Sequence, residues 1–109
     1  MSQVYTINNN QIIAKASDTF IAVMDGDAIL AMDDFYEAIS KALNFPDYFG
    51  ENMDALDEML YDLDWIEHDY ILLLIKNSAS MLQHEIGKRE SVISLFEGID
   101  NPYFEVCLM

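Results

Sequence analysis

Basic residues are scarce in this 109-residue chain, in which five Lys and Arg stand against 20 Asp and Glu, for a formal net charge of −15. Proteins that bind nucleic acid or anionic lipid use clusters of Lys and Arg to contact phosphate groups. Here Lys88 and Arg89 are the only adjacent basic pair. We therefore expect no nucleic-acid ligand and no membrane partner. A surface this negative attracts basic proteins instead, because opposite fields speed their encounter.

Cysteine is almost absent too, and long hydrophobic runs are missing. The single Cys107 excludes an internal disulfide, which is typical of a protein in a reducing cytosol. The longest apolar run, residues 70–75, is too short to cross a bilayer. Residues 1–10 lack the basic start and apolar middle of a secretory signal. The sequence therefore predicts a soluble, cytoplasmic protein.

Apolar residues are plentiful, at 52% of the sequence, with 12% aromatic residues. A chain of this length buries roughly two-thirds of its unfolded surface, which is enough for one hydrophobic core. Only four Gly and two Pro are present, and no linker-like segment divides the chain. We expect one domain over residues 20–109, preceded by an extension over residues 1–19. Loose alternation around three Asn residues predicts a hairpin within residues 4–14.

The spacing of apolar residues alternates between strand-like runs and helix-like repeats along the domain. The predicted strands are residues 20–24, 70–75 and 103–108, and the predicted helices begin at Asp33, at Asn52 or Gly50, at Ser80 and at Lys88. Pro46 ends the first of these helices, and Gly98 ends the last at its C′ position. Strands that alternate with helices predict an α/β fold with a three-stranded parallel sheet and packed helices.

Acidic residues dominate the segment between Ala42 and Ile75, which has no Lys or Arg. Its nine acids are Asp47, Glu51, Asp54, Asp57, Glu58, Asp62, Asp64, Glu67 and Asp69. On the second predicted helix, Asp54 shares a face with Asp57 and Glu58, at spacings where like charges cost about 0.2–0.5 kcal/mol per pair. The helix dipole offsets this cost only in the first turn. Charge alone leaves two interpretations open, a solvated outer face or a face for a basic partner.

A motif immediately around this helix favours the second interpretation. Residues 45–56 read Phe-Pro-Asp-Tyr-Phe-Gly-Glu-Asn-Met-Asp-Ala-Leu. This run closely resembles the signature of the barstar family, inhibitors of barnase-type ribonucleases. The dense match continues through Leu60, and a weaker resemblance extends from Phe20 to Leu108. The resemblance implies a barstar-like sheet with packed helices. It also implies a stoichiometric inhibitor of a basic ribonuclease, acting as an immunity protein or antitoxin.

The resemblance also implies which residues bind the partner. In the family, the second helix and the loop before it enter the ribonuclease active site, where a carboxylate takes the place of a substrate phosphate. By position, Asp54 and Glu58 are the main carboxylates and Tyr48 is an aromatic contact from the loop. The full set implied here is Tyr48, Phe49, Gly50, Asn52, Asp54, Asp57, Glu58 and Glu97.

Three of these positions depart from the family pattern. Asp57 stands where the family has an aromatic residue, which replaces an apolar contact by a charge. Glu58 is one methylene longer than the Asp expected there. A further interface acid aligns with Gly98, and we consider the adjacent Glu97 its replacement, although it points about 100° around the helix. The departures leave the class of protein intact and alter the expected contacts with its target.

Other functions find less support in the residues. The closest calcium-like fragments, residues 25–27 and 62–64, lack the spacing of an EF-hand loop. His68 and His84 are isolated, and no nucleophile–base pattern or phosphate-binding loop is present. We expect no metal, no cofactor, no small-molecule substrate and no catalysis. The alternative that stays open is an acidic interaction module of the same fold, which binds another basic protein without inhibiting a nuclease.

Overall fold

A computed structural model of the chain describes residues 3–6 and 19–109, with side chains for residues 19–109. The elements in chain order are β1 (Gln3–Thr6), β2 (Thr19–Asp25), α1 (Met32–Ala42), α2 (Met53–Asp62), β3 (Tyr70–Lys76), α3 (Ile86–Gly98) and β4 (Phe104–Leu108). Short 3₁₀ turns, Gly26–Ala28 and Ser78–Ser80, follow β2 and β3. Within the described ranges, every helix falls short of the length and apolar character that a membrane span needs.

The strands form one parallel sheet in the order β1-β4-β3-β2. The predicted α/β fold is confirmed, with β2, β3 and β4 as its three parallel strands and the helices packed against them. β1 extends this sheet beyond β4, so that the sheet has four strands. The turn and return arm of the hairpin predicted in residues 4–14 fall largely in residues 7–18, outside the described part of the chain.

The main core lies between the helices and one face of the sheet. β3 contributes Ile71, Leu73 and Ile75 to this face, while Leu72 and Leu74 are buried on the opposite face. This strand is therefore covered on both faces, as expected for a central strand of a parallel sheet. The largest fully buried side chains of the core include Phe35, Ile39, Leu56, Leu60, Phe96 and Phe104.

The helix predicted over residues 80–86 is wrong. The chain there forms a 3₁₀ turn over Ser78–Ser80 followed by further turns, and Leu82 has a φ of 55°, which a continuous right-handed helix excludes. The reason is tertiary, because the Leu82 N–H donates a hydrogen bond to the Ile29 carbonyl, at 2.9 Å. Burial of the Leu82 side chain anchors this segment against the loop after β2.

Two predicted helix ends also differ from the structure. α1 begins at Met32 with Ala31 as its N-cap residue, so Asp33 lies inside the first turn. Asp34 Oδ2 accepts hydrogen bonds from the N–H groups of Leu30 and Ala31, at 3.1 Å each, and so holds the start of the helix. α3 includes Gly98 as its last residue, so Gly98 is not the left-handed C′ residue that was predicted. The buried Ile99 closes this end by donating its N–H to the Phe96 carbonyl, at 3.3 Å.

Candidate functional site

The start of α2 is fixed by one side chain, that of Asn52. Its Oδ1 accepts a hydrogen bond from the Ala55 N–H at 2.8 Å, which satisfies one of the free donors in the first helical turn. Its Nδ2 donates to the Gly50 carbonyl at 3.2 Å, so the same residue also holds the loop before the helix. Of the two predicted openings, Asn52 is therefore the N-cap. Gly50 supplies a carbonyl that the cap binds.

Replacement of Asn52 by Ala should destabilise the domain by about 0.5–2 kcal/mol, the usual cost of losing an N-cap. Asn52→Asp is the matched control, since it keeps the acceptor for the Ala55 N–H and loses the donor to Gly50, and the negative charge that it adds is favoured at a helix N-terminus. We expect the aspartate variant to be the more stable of the two in urea unfolding. Equal destabilisation of both variants would show that the loop contact, and not the cap, carries the effect.

The apolar face of α2 determines which side chains point outward. Leu56 and Leu60 are fully buried and Met59 is nearly so, as the spacing of apolar residues predicts. With this face against the core, Asp54, Asp57 and Glu58 are all exposed. At 100° per residue, Asp57 lies about 60° to one side of Asp54 and Glu58 about 40° to the other. The structure thus brings the three predicted carboxylates together on one outward surface.

The loop before α2 separates its two aromatic residues. Phe49 is half-buried and packs edge-on against Phe45 and Tyr36, with ring centroids 4.8 and 6.0 Å apart. Burial, with a smaller contribution from Asp33, raises the pKa of the Tyr36 phenol above its ordinary value. Tyr48 is 76% exposed at the tip of the loop. Phe49 therefore anchors the loop, and Tyr48 is the aromatic side chain presented to solvent.

Trp65 also stabilises this loop, through contacts at the loop's N-terminal end. Its ring packs edge-on against Phe45, with centroids 5.8 Å apart, and its Nε1–H donates to the Leu43 carbonyl at 2.9 Å. The indole is half-buried just after the end of α2. The loop that carries the exposed Tyr48, next to the carboxylates of α2, is therefore held in place by contacts with Trp65.

An open groove of about 600 Å³ separates α2 from α3. Asp54 and Asp57 line one wall, and Glu90 on α3 faces them from the other wall. The sequence analysis missed Glu90, because helix spacing relates residues of one helix and says nothing about which helices are neighbours. Glu97 is exposed near the C-terminal end of α3 and does not line this groove.

In the described part of the chain, three carboxylates of α2 have no ion-pair partner. Within residues 19–109, Asp54, Asp57 and Glu58 make no ion pair, whereas Glu37 and Glu85 are paired with Lys41 and Lys88 on α1 and α3. Among these residues, no ion pair offsets the like-charge repulsion predicted from the sequence. A basic group from another molecule would remove this repulsion.

The family model described as Barstar (barnase inhibitor) matches residues 19–105. The match covers most of the chain, including β2, α1, α2, β3 and α3. The chain belongs to the barstar family. Proteins of the barstar family are inhibitors and not enzymes, and they bind a ribonuclease partner. The barstar-like motif of residues 45–56 forms the braced loop and the first turn of α2, which carry Tyr48 and Asp54.

Proposed function

We propose that this protein is a stoichiometric inhibitor of a basic ribonuclease, and that it inserts α2 and the preceding loop into the enzyme's active site. In this role it protects the cytoplasm of the cell that makes the nuclease, as an immunity protein or antitoxin. The observation that carries the proposal is the uncompensated carboxylate face of α2, in a chain whose family is that of the barnase inhibitor.

The chemistry of the proposed contact follows from what a ribonuclease active site binds. An RNA-cleaving site holds phosphate groups with Arg, Lys and His side chains, and a carboxylate can accept the same charge-assisted hydrogen bonds. We assign Glu58 and Asp54 as the phosphate mimics, with Asp57 as a third acid. Tyr48 supplies the exposed aromatic contact, since aromatic side chains are frequent anchors of interfaces.

The remaining proposed contacts surround this centre. Asn52 and Gly50 set the position of Asp54 through the two hydrogen bonds of the cap, and Phe49 does the same for Tyr48 by anchoring the loop. On α3, we add Glu90 across the groove and retain Glu97 at the end of the helix as flanking acids. A basic enzyme surface that spans α2 and α3 would meet carboxylates from both helices.

The test is a titration of RNA cleavage with purified protein. The probes are barnase, other basic ribonucleases of its type, and any such ribonuclease encoded beside the gene. The expected result is loss of cleavage at a one-to-one ratio for at least one of them. One-to-one binding without loss of cleavage would favour the alternative, an acidic interaction module of the same fold. If no ribonuclease of the panel is bound or inhibited, the proposed function is wrong.

A further inference from the structure

β2 is an edge strand with unusual properties. Among the strands that the structure describes, β2 lies at one edge of the sheet, hydrogen-bonded to β3 along its length. It has seven residues, against the four of β1 at the other edge. An edge strand directs part of its backbone N–H and C=O groups away from the sheet, as a template for another strand. Lys and Pro residues commonly block such edges. β2 has neither, and its only charged residue is Asp25 at its end.

The side chains of β2 add an apolar rim to this edge. Ile21 and Val23, on the sheet face away from the helices, are 40% and 48% exposed. Their neighbours on β3, Leu72 and Leu74, are buried on the same face. Burial of β-branched side chains between neighbouring strands is a main source of strand pairing. Within the described residues, the edge therefore offers outward-directed backbone groups beside the partly exposed side chains of Ile21 and Val23.

Helix α1 flanks the same edge and carries charges of both signs. A groove of about 460 Å³ runs between β2 and α1, lined by Val23 on the strand and by Asp34, Glu37 and Lys41 on the helix. Asp34 lies in the first turn of α1 and Lys41 in the last. The helix thus presents the carboxylate of Asp34 at one end of the groove and the Lys41 ammonium, paired with Glu37 at 3.3 Å, at the other, although the chain as a whole is strongly acidic.

We infer that β2 pairs in antiparallel orientation with β2 of a second copy of this chain, about a two-fold axis at Ala22. In this register Ile21 lies opposite Val23 of the second copy, so the exposed apolar residues cover one another. Asp25 then lies opposite the uncharged Thr19. The inference concerns a surface other than the α2 carboxylates, so it stands or falls independently of ribonuclease inhibition.

Symmetry explains why a second copy fits this edge. A two-fold axis perpendicular to the sheet reverses the elements that run along the sheet, so α1 lies antiparallel to its copy across the paired strands. Lys41 of each copy, which pairs with Glu37 of its own helix, is then directed toward the first turn of the other α1, with Asp34. Identical edges are complementary in this arrangement because the apolar pair and the charge pattern both map onto themselves. Local charge complementarity opposes the general repulsion between two acidic chains.

Sedimentation velocity of the full chain over a range of concentrations tests the inference. The wild type should associate reversibly to a dimer. Val23→Lys should raise the dimer dissociation constant about tenfold or more, because it puts an ammonium group among apolar side chains. Ile86→Lys is the matched control, since Ile86 is equally apolar, 62% exposed and on α3. This control should dimerise as the wild type does, and circular dichroism should show that both variants are folded.

A charge-reversal series gives a second readout at an exposed helix position. Lys41→Glu should weaken dimerisation, and the double variant Lys41→Glu with Glu37→Lys should restore it. A wild type that stays monomeric at every concentration would overturn the inference. Equal association of Val23→Lys and wild type would do so too, because another surface would then be responsible. Hydrogen-exchange protection of the β2 amides only on addition of a ribonuclease would assign the edge to that partner instead.

Discussion

Glu58→Ala and Asp54→Ala should each weaken ribonuclease inhibition by about 30-fold to several thousand-fold in Kd. This corresponds to the general cost of about 2–5 kcal/mol for truncating one partner of a buried charge pair, a range to which barnase and barstar themselves contributed. The loss arises mostly because the enzyme's cations would remain buried and unpaired. The effect should be measured as the change in inhibition constant in an RNA-cleavage assay.

The free energy of unfolding of these variants should change little. For Glu58→Ala we expect it to stay the same or to rise slightly, although inhibition weakens. Removing Glu58 relieves its repulsion with Asp54 and places a good helix former at an exposed position, so we expect unchanged or slightly higher stability in urea. Asp27→Ala, an exposed acid in the turn after β2, is the matched control for the loss of one negative charge. If the control weakens inhibition as much as Glu58→Ala does, net charge and not the α2 face explains binding.

Phe96→Ala should give the largest loss of stability, about 3–5 kcal/mol, from lost burial and the cavity left behind. Phe96 is fully buried on α3, with its ring 6.2 Å from that of Phe35 on α1, so it joins two helices across the core. A loss of this size is a large fraction of the 5–15 kcal/mol that typically stabilises a domain. Urea unfolding is the appropriate measurement. The slope of the unfolding free energy against urea concentration should be the same as in the wild type.

Ile86→Ala on the same helix provides the comparison, because its side chain is mostly exposed and its loss should cost within about 0.5 kcal/mol. At temperatures where Phe96→Ala is still folded, it should inhibit a ribonuclease at the wild-type ratio. This outcome separates stability from binding. A loss below about 1 kcal/mol would mean that the surrounding side chains collapse into the space, which the close packing of protein cores opposes.

The sequence predicted correctly those strands, helix starts and helix faces that depend only on residues close together in the chain. The apolar run of residues 70–75 is the central strand β3, as its lack of polar alternation indicates. Asn52 caps α2 because an amide oxygen can reach the N–H three residues ahead. The predicted apolar face of α2 is buried, which leaves Asp54, Asp57 and Glu58 exposed on a common surface.

Predictions were wrong where a distant contact decides the local conformation. The helix predicted over residues 80–86 gives way to turns because Leu82 hydrogen-bonds Ile29, more than 50 residues earlier in the chain. Gly98 continues α3 because the buried Ile99 closes that helix end. In both cases burial of one apolar side chain outweighs a weak local preference of the backbone.

The sequence by itself determined the scarcity of basic residues, the acidic face of α2 and the family motif before it. Those features depend on residue identity and on helix periodicity, and both can be read from a short stretch of sequence. Only the tertiary structure decided that Glu90 faces Asp54 across a groove and that Tyr48 is exposed while Phe49 is half-buried. It also decided that β2 lies at an edge among the described strands. These depend on which elements become neighbours, and that choice is made by the packing of the whole core.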